Sequence, residues 1–210
     1  MIRFSLCFLL CLAGVMTIPV TPNAAAPKTS NAPEYTADGR LVFPANYREW
    51  IYLTTGMDMD YNPELMTMDH SMFDNVFVNP EAYRAFVATG TWPDKTILVL
   101  EGRRAANKGS INKKGHYQTT EVMVRSIHIK DESHFPGKWA FVGFDDGNVG
   151  KTISKEAVCY SCHEQHAAVD TTFVQFYPTL LGIAEKKGTL SAAYLKEEAA
   201  NASEGSKKTH

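Results

Sequence analysis

Cys159-Tyr160-Ser161-Cys162-His163 is the string whose residue types and spacing carry the most specific chemistry in this chain of 210 residues. Its two thiols lie about one helical turn apart, so each can add to a vinyl group of a haem and leave a thioether. The adjacent imidazole then falls beneath the iron and supplies a nitrogen ligand. Covalent attachment of this kind holds a haem c without a deep preformed cavity. Two other chemistries share the same residues. A Cys159–Cys162 disulfide is allowed in an oxidising compartment, although the βαβ frame of thioredoxin-like C-x-x-C proteins is absent from the pattern. Zinc held by Cys159, Cys162, His163 and His166 is the other, but structural zinc sites usually separate the Cys pair from the His pair by about a dozen residues. The spacing favours one covalent haem c with His163 as its metal ligand.

A second cluster is Met57, Met59, Met66, Met68 and Met72, with His70 among them. Methionines in an irregular loop most simply fill gaps. One of them, or His70, would serve as a sixth iron ligand, and several thioethers together would suit Cu(I). Phe73, which follows the loop, is placed to shield the open face of the haem. His116, His128 and His134 read as surface or sheet histidines, and His166 as a residue near the haem edge.

The elements that must position these residues are mostly strands. Asn75–Val78, Thr96–Glu101, Tyr117–Lys130 and Trp139–Phe144 are rich in β-branched and aromatic residues. The longest alternates, with Val122, Val124, Ser126 and His128 on one face and Met123, Arg125, Ile127 and Ile129 on the other. Turn-rich connections between them predict an antiparallel sheet. Between the first two strands, Asn79-Pro80-Glu81 starts a short helix, with Asn79 as its cap, Ala82 and Phe86 on its buried face and Gly90 at its end. Met57–Ser71 reads as a loop, and helices concentrate after residue 154. The predicted class is α+β: a mostly antiparallel sheet with a few short helices and the haem string on a C-terminal helix.

Composition narrows the surroundings. The chain is 44% hydrophobic and 21% charged with a net charge of −2, which is ordinary for a globular domain. No basic stripe interleaved with aromatics marks a nucleic-acid partner, and no polybasic run marks a membrane surface. Residues 1–26 read as a signal peptide: a basic start at Arg3, an apolar run from Phe4 to Ile18, and a Pro/Asn/Ala exit. That run is short of the ~20 apolar residues of a membrane span, although Pro27 after Ala26 leaves an uncleaved anchor as the alternative. The expectation is a periplasmic protein with a linker over 27–40, one haem domain over 41–200 and a disordered tail over 201–210.

Several blocks in this order resemble the cytochrome P-460 family, which includes the sheet-rich cytochromes c′-beta. They are Asn46-Tyr-Arg-Glu-Trp50, Val78-Asn-Pro-Glu-Ala-Tyr83, Asp94-Lys-Thr-Ile-Leu-Val-Leu-Glu101, Gly137-Lys-Trp-Ala-Phe141, and Cys159 to His163 followed by Phe173-Val-Gln-Phe-Tyr-Pro178. The resemblance implies a homodimer and a haem iron ligated by His163 with its other face open. In the catalytic members, which oxidise hydroxylamine, the residue before the Glu of the third block is a lysine cross-linked to the haem. This chain has Leu100 there, and Lys95, an odd number of residues away, points to the opposite face. On the neighbouring strand the catalytic members carry a pocket carboxylate. The corresponding residue here is Ser126, or Arg125 if the register slips by one, so neither supplies a carboxylate. Cys159, Cys162, His163, Leu100, Phe73 and Ser126 are therefore the candidate cofactor-binding residues. The favoured function is binding or detoxifying nitric oxide or a related small nitrogen species at a five-coordinate haem with an apolar pocket. The alternatives are an oxidoreductase acting on hydroxylamine without the cross-link, and a six-coordinate electron carrier. The redox partner is unspecified.

Overall fold

The computed structural model describes residues 31–59, 71–145 and 147–207. The leader, the loop residues Met66, Met68 and His70, and the last three residues lie outside them. Six strands form one antiparallel sheet in which spatial order equals chain order: β1 Ile51–Met57, β2 Met72–Val78, β3 Thr96–Ala106, β4 Tyr117–Lys130, β5 Trp139–Gly143 and β6 Lys151–Thr152. Helix α1, Pro80–Thr89, is inserted between β2 and β3. Helices α2 Val158–His166, α3 Leu181–Lys187 and α4 Ala192–Lys207 follow the last strand.

The sheet is covered on both faces, which explains why β3 opens with a continuous apolar run rather than an alternation. Ile97 and Val99 pack with Ile127, Ile129 and Val142 on one face, closed by Leu41, Phe43 and Trp50 from the N-terminal segment. Leu98 and Val78 point the other way, into a core completed by α1 and the C-terminal helices. There Phe86, with no exposed surface, meets Trp92 at a centroid distance of 4.3 Å. The Trp92 indole N–H donates to Thr172 Oγ1 at 2.7 Å. Burying a side chain such as Phe86 contributes about 2–3 kcal/mol.

Asn79 and Pro80 begin α1 where the sequence places them, but Asn79 does not cap with its side chain. Its Oδ1 accepts the Ile97 N–H at 2.8 Å and its Nδ2 donates to the Lys95 carbonyl at 3.2 Å, so it ties the helix start to β3. Gly90 ends the helix in the left-handed region (φ 80°), where its N–H reaches the Phe86 carbonyl.

Two boundaries differ from the sequence expectation. The chain is packed from residue 31, not 41. Asn31 Oδ1 accepts from the Trp50 indole at 2.9 Å and from Asn46 Nδ2 at 3.0 Å, and Tyr35 stacks on His134 at 3.9 Å. These are single polar and aromatic contacts made to distant positions, so they leave no local periodicity. At the other end the backbone is helical through Lys207, because the Ala- and Glu-rich run before residue 201 propagates without a stop signal.

Tyr35 is held by Asp131, whose carboxylate accepts its hydroxyl at 2.8 Å and also binds Lys95 and Ser133. Burial pushes the Asp131 carboxyl up, but the hydrogen bonds from Lys95, Ser133 and Tyr35 outweigh it and hold it at about 2. A depressed carboxyl stabilises the fold above its unfolded value, and that contribution disappears as pH falls through the folded one. Acid unfolding should therefore show a loss on the order of 1 kcal/mol between about pH 4 and pH 2 that is missing in Asp131→Asn. Equal pH slopes for the two proteins would refute this.

Candidate haem site

Helix α2 carries the whole Cys159–His163 string. Tyr160 fastens that helix to the sheet: its hydroxyl oxygen accepts the Phe141 N–H at 3.1 Å, and its hydroxyl donates to the Ile153 carbonyl at 3.2 Å. Cys159 and Cys162 are both half-buried free thiols. No disulfide joins them, so the first competing chemistry is not what this geometry holds. Among the described residues no group of three or more His, Cys, Asp and Glu is placed to hold a metal ion. His166, the fourth ligand of the zinc reading, instead pairs through Nδ1 with Glu197 on α4 at 2.9 Å.

His163 is oriented by the turn that follows α2. Val169 and Thr172 form an isolated antiparallel bridge, with Asp170 between them at φ 51°. That left-handed conformation is one Asp tolerates better than most residues. The turn presents the Thr171 carbonyl to His163 Nδ1 at 2.7 Å. Because a carbonyl only accepts, Nδ1 carries the proton and Nε2 keeps its lone pair for a metal. Phe173 stacks on the imidazole at 4.0 Å and Phe141 meets it edge-on at 4.7 Å. Burial holds the His163 pKa below the ordinary imidazole value, partly offset by the Thr171 carbonyl.

His128 is a buried sheet histidine, stacked on Phe141 at 4.0 Å with its ring centre 5.2 Å from that of His163. Its Nε2 lies 3.2 Å from Thr171 Oγ1. The residue that orients His163 is thus itself tied to β4. Burial first, then repulsion between two protonated rings at His128 and His163 and from Lys155, hold the His128 pKa well below the usual range.

A cavity of about 180 Å³ joins α2 to the sheet. Val76, Leu98, Leu100 and Ser126 line it from the strands, and His163, Phe173 and Phe176 from the C-terminal half. Leu100 and Ser126 are direct cross-strand partners, which settles the register in favour of Ser126. Arg125 is instead opposite Glu101 and donates to the Gly147 carbonyl at 2.9 Å. Lys95 is ahead of β3 on the far side, engaged by Asp131 and Ser133.

Phe73 is not brought to the site. It faces the opposite side of β2 from Asp74 and Val76, because the two-residue strand period gives the cavity to even-numbered positions. Asp74 corrects a second expectation: the cavity does contain a carboxylate, supplied by β2 rather than β4. Of the methionine cluster, Met59 lines the cavity. Sequence reasoning gave no role to Thr171, which belongs to no motif, nor to Phe141 and Tyr177, although both lie in blocks that resemble the family. Those two blocks, Gly137–Phe141 and Phe173–Pro178, were the signals pointing to the aromatic wall.

The model for the family described as Cytochrome P460 matches residues 44–174. The chain belongs to the cytochrome P460 family. No curated protein matches it. As a haem-binding cytochrome of this type, it presents a donor set that fits the group: two unpaired thiols three positions apart on one helix, and an imidazole whose tautomer leaves Nε2 for iron. A macrocycle needs more room than the 180 Å³ cavity alone. A neighbouring groove of about 470 Å³, lined by Cys162, His166 and Tyr194, shares Phe173 and Phe176 with it as a common wall. This cytochrome thus offers two adjoining spaces separated by Phe173 and Phe176, one between α2 and the sheet and one between α2 and α4.

Proposed function

We propose that this cytochrome is exported to the periplasm, functions as a homodimer, and carries one haem c on Cys159 and Cys162 with His163 as the single protein ligand to iron. Its function is to bind nitric oxide or a related small nitrogen species. The observation that carries this reading is Leu100, which lines the same cavity as His163 and stands where the catalytic members place their cross-linking lysine. A haem held by these residues would supply a redox-active iron able to take a small ligand. The chain's own residues do the rest. The Thr171 carbonyl holds the proton on His163 Nδ1, and the aliphatic and aromatic walls exclude water. Leu100 and Val76 offer no hydrogen bond, which favours nitric oxide over dioxygen, since bound dioxygen is polar and gains more from a donor.

Optical and resonance spectra of the ferric and ferrous holoprotein, with and without nitric oxide, test this. The expected result is a high-spin five-coordinate ferrous form that takes up nitric oxide. A low-spin six-coordinate ferrous spectrum would overturn it in favour of electron transfer. Asp74 favours a second reading, hydroxylamine oxidation, because that reaction releases protons and the cavity contains a carboxylate to accept them. Turnover with hydroxylamine and an electron acceptor no greater than that of free haem would exclude it.

A further inference from the structure

Asp74 is the carboxylate in a cavity whose other described lining residues are apolar or neutral, with Ser126, Thr54 and His128 among them. In the sheet it lies between Gly56 on β1 and Gly102 on β3. Neither neighbour has a side chain, and the space beside them is taken by thioethers. A Cβ at Gly56 would collide with Met59 Sδ, and one at Gly102 would lie 2.6 Å from Met72 Sδ. The carboxylate is therefore surrounded by soft apolar atoms, and its buried Oδ1 has no hydrogen-bond partner among the described residues. A buried acceptor left unpaired loses its hydration without replacement. Such a group calls for something that binds it.

We propose that Asp74 makes this cavity charge-selective: it admits small neutral ligands, holds best those with an N–H or O–H that can donate to Oδ1, and rejects small anions of the nitrite and azide class. The proposal rests on the reading that ligands reach the haem iron through this cavity.

The charged and titratable groups around Asp74 among the described residues reinforce it. Asp58, at the end of β1, adds negative charge, and its own carboxylate accepts the Met72 N–H at 2.8 Å. Arg104, one row further along β3, is engaged by Glu121 of β4 at 2.6 and 2.8 Å. His128 is neutral, and His163 and Tyr177 complete the far wall. Among the described residues no Lys or Arg side chain lines the cavity to offset the carboxylate. Burial, and then the charge of Asp58, push the Asp74 carboxyl up to about 6, so rejection of anions weakens as pH falls through that value.

The test is equilibrium titration of the ferric holoprotein with azide and with nitric oxide, followed optically at about pH 7.5 and about pH 5. At the higher pH, Asp74→Asn should bind azide about tenfold more tightly than the natural protein, while nitric oxide affinity changes less than about threefold. Asp74→Glu should keep the natural discrimination. In the natural protein, azide affinity should rise toward low pH by more than the protonation of azide explains. This arm needs no variant. Equal azide affinities for the natural protein and Asp74→Asn at the higher pH, with nitric oxide bound by both, would overturn the selectivity and leave the haem-ligand reading standing. Failure of nitric oxide to bind either protein would overturn both.

Discussion

Cys159→Ala/Cys162→Ala, expressed with a haem-attachment system, should yield protein whose denatured mass shows no added macrocycle, whereas the natural chain shows one. Each thiol is a separate anchor on the same face of α2, so either single variant should retain haem through one thioether at reduced yield. The thiols must also survive as thiols until attachment. Burial raises the Cys162 pKa above the ordinary thiol value, and the charges of Cys159 and Glu197 raise it further. The thiolate is the species that attacks and oxidises, so this setting slows closure of the pair into a disulfide. His163→Gly should behave differently. It should keep the covalent haem but lose the imidazole signature of the spectrum, and added imidazole should restore that signature. Covalent haem on the double variant would end the attachment reading.

The second large effect is expected far from any thiol. Glu101 is fully buried between Leu100 and Gly102 on β3. Its carboxylate accepts from the Tyr47 hydroxyl and the Arg48 guanidinium, and from Arg103 at 2.7 and 3.1 Å. Burial pushes this carboxyl up, but hydrogen bonds from Arg103 and Tyr47 and the charges of both arginines outweigh it and hold it below its usual value. Glu101→Gln replaces an acceptor-only group with one whose N–H groups face donors, and leaves the mostly buried Arg103 without a counter-charge. Breaking a buried pair typically costs 3–5 kcal/mol, and the half-exposed Arg48 puts this one near the lower end, about 3 kcal/mol. For a domain of this size that is a fall in Tm of roughly 10 °C. The sign of the pKa shift adds a check. The carboxylate's contribution is present above the unfolded value and lost as pH falls through the folded one, so the two proteins should converge in stability in acid. A constant gap between them down to about pH 2 would refute the electrostatic account.

This network also explains why two separated blocks of sequence belong together. Tyr47 and Arg48 come from the Asn46–Trp50 block and Glu101 from the Asp94–Glu101 block, and they meet under the strand that carries Leu100. Nothing in either block alone announces the pairing, because a carboxylate finds its partners by burial and not by local spacing. The strands were legible for the opposite reason. Alternation along Tyr117–Lys130 is a local property, and it placed Ser126 and His128 on one face and Ile127 and Ile129 on the other, as the structure has them. The same rule misplaced Phe73, since reading the strand from residue 75 left unstated which face of β2 met the cavity.

What the residues determined unaided were the elements and the motif: a strand period of two and a local string of two thiols and an imidazole, whereas Leu100 stood out only through the resemblance to the cytochrome P-460 family. Only the tertiary structure decided what surrounds that chemistry. The carbonyl that fixes His163 belongs to a turn eight residues on, the register that pairs Leu100 with Ser126 is a relation between strands, and the carboxylate in the cavity arrives on a third strand. The physical reason is that bonding patterns repeat along the chain and can be read in order. Burial and electrostatic environment, by contrast, depend on which distant segments the fold brings face to face.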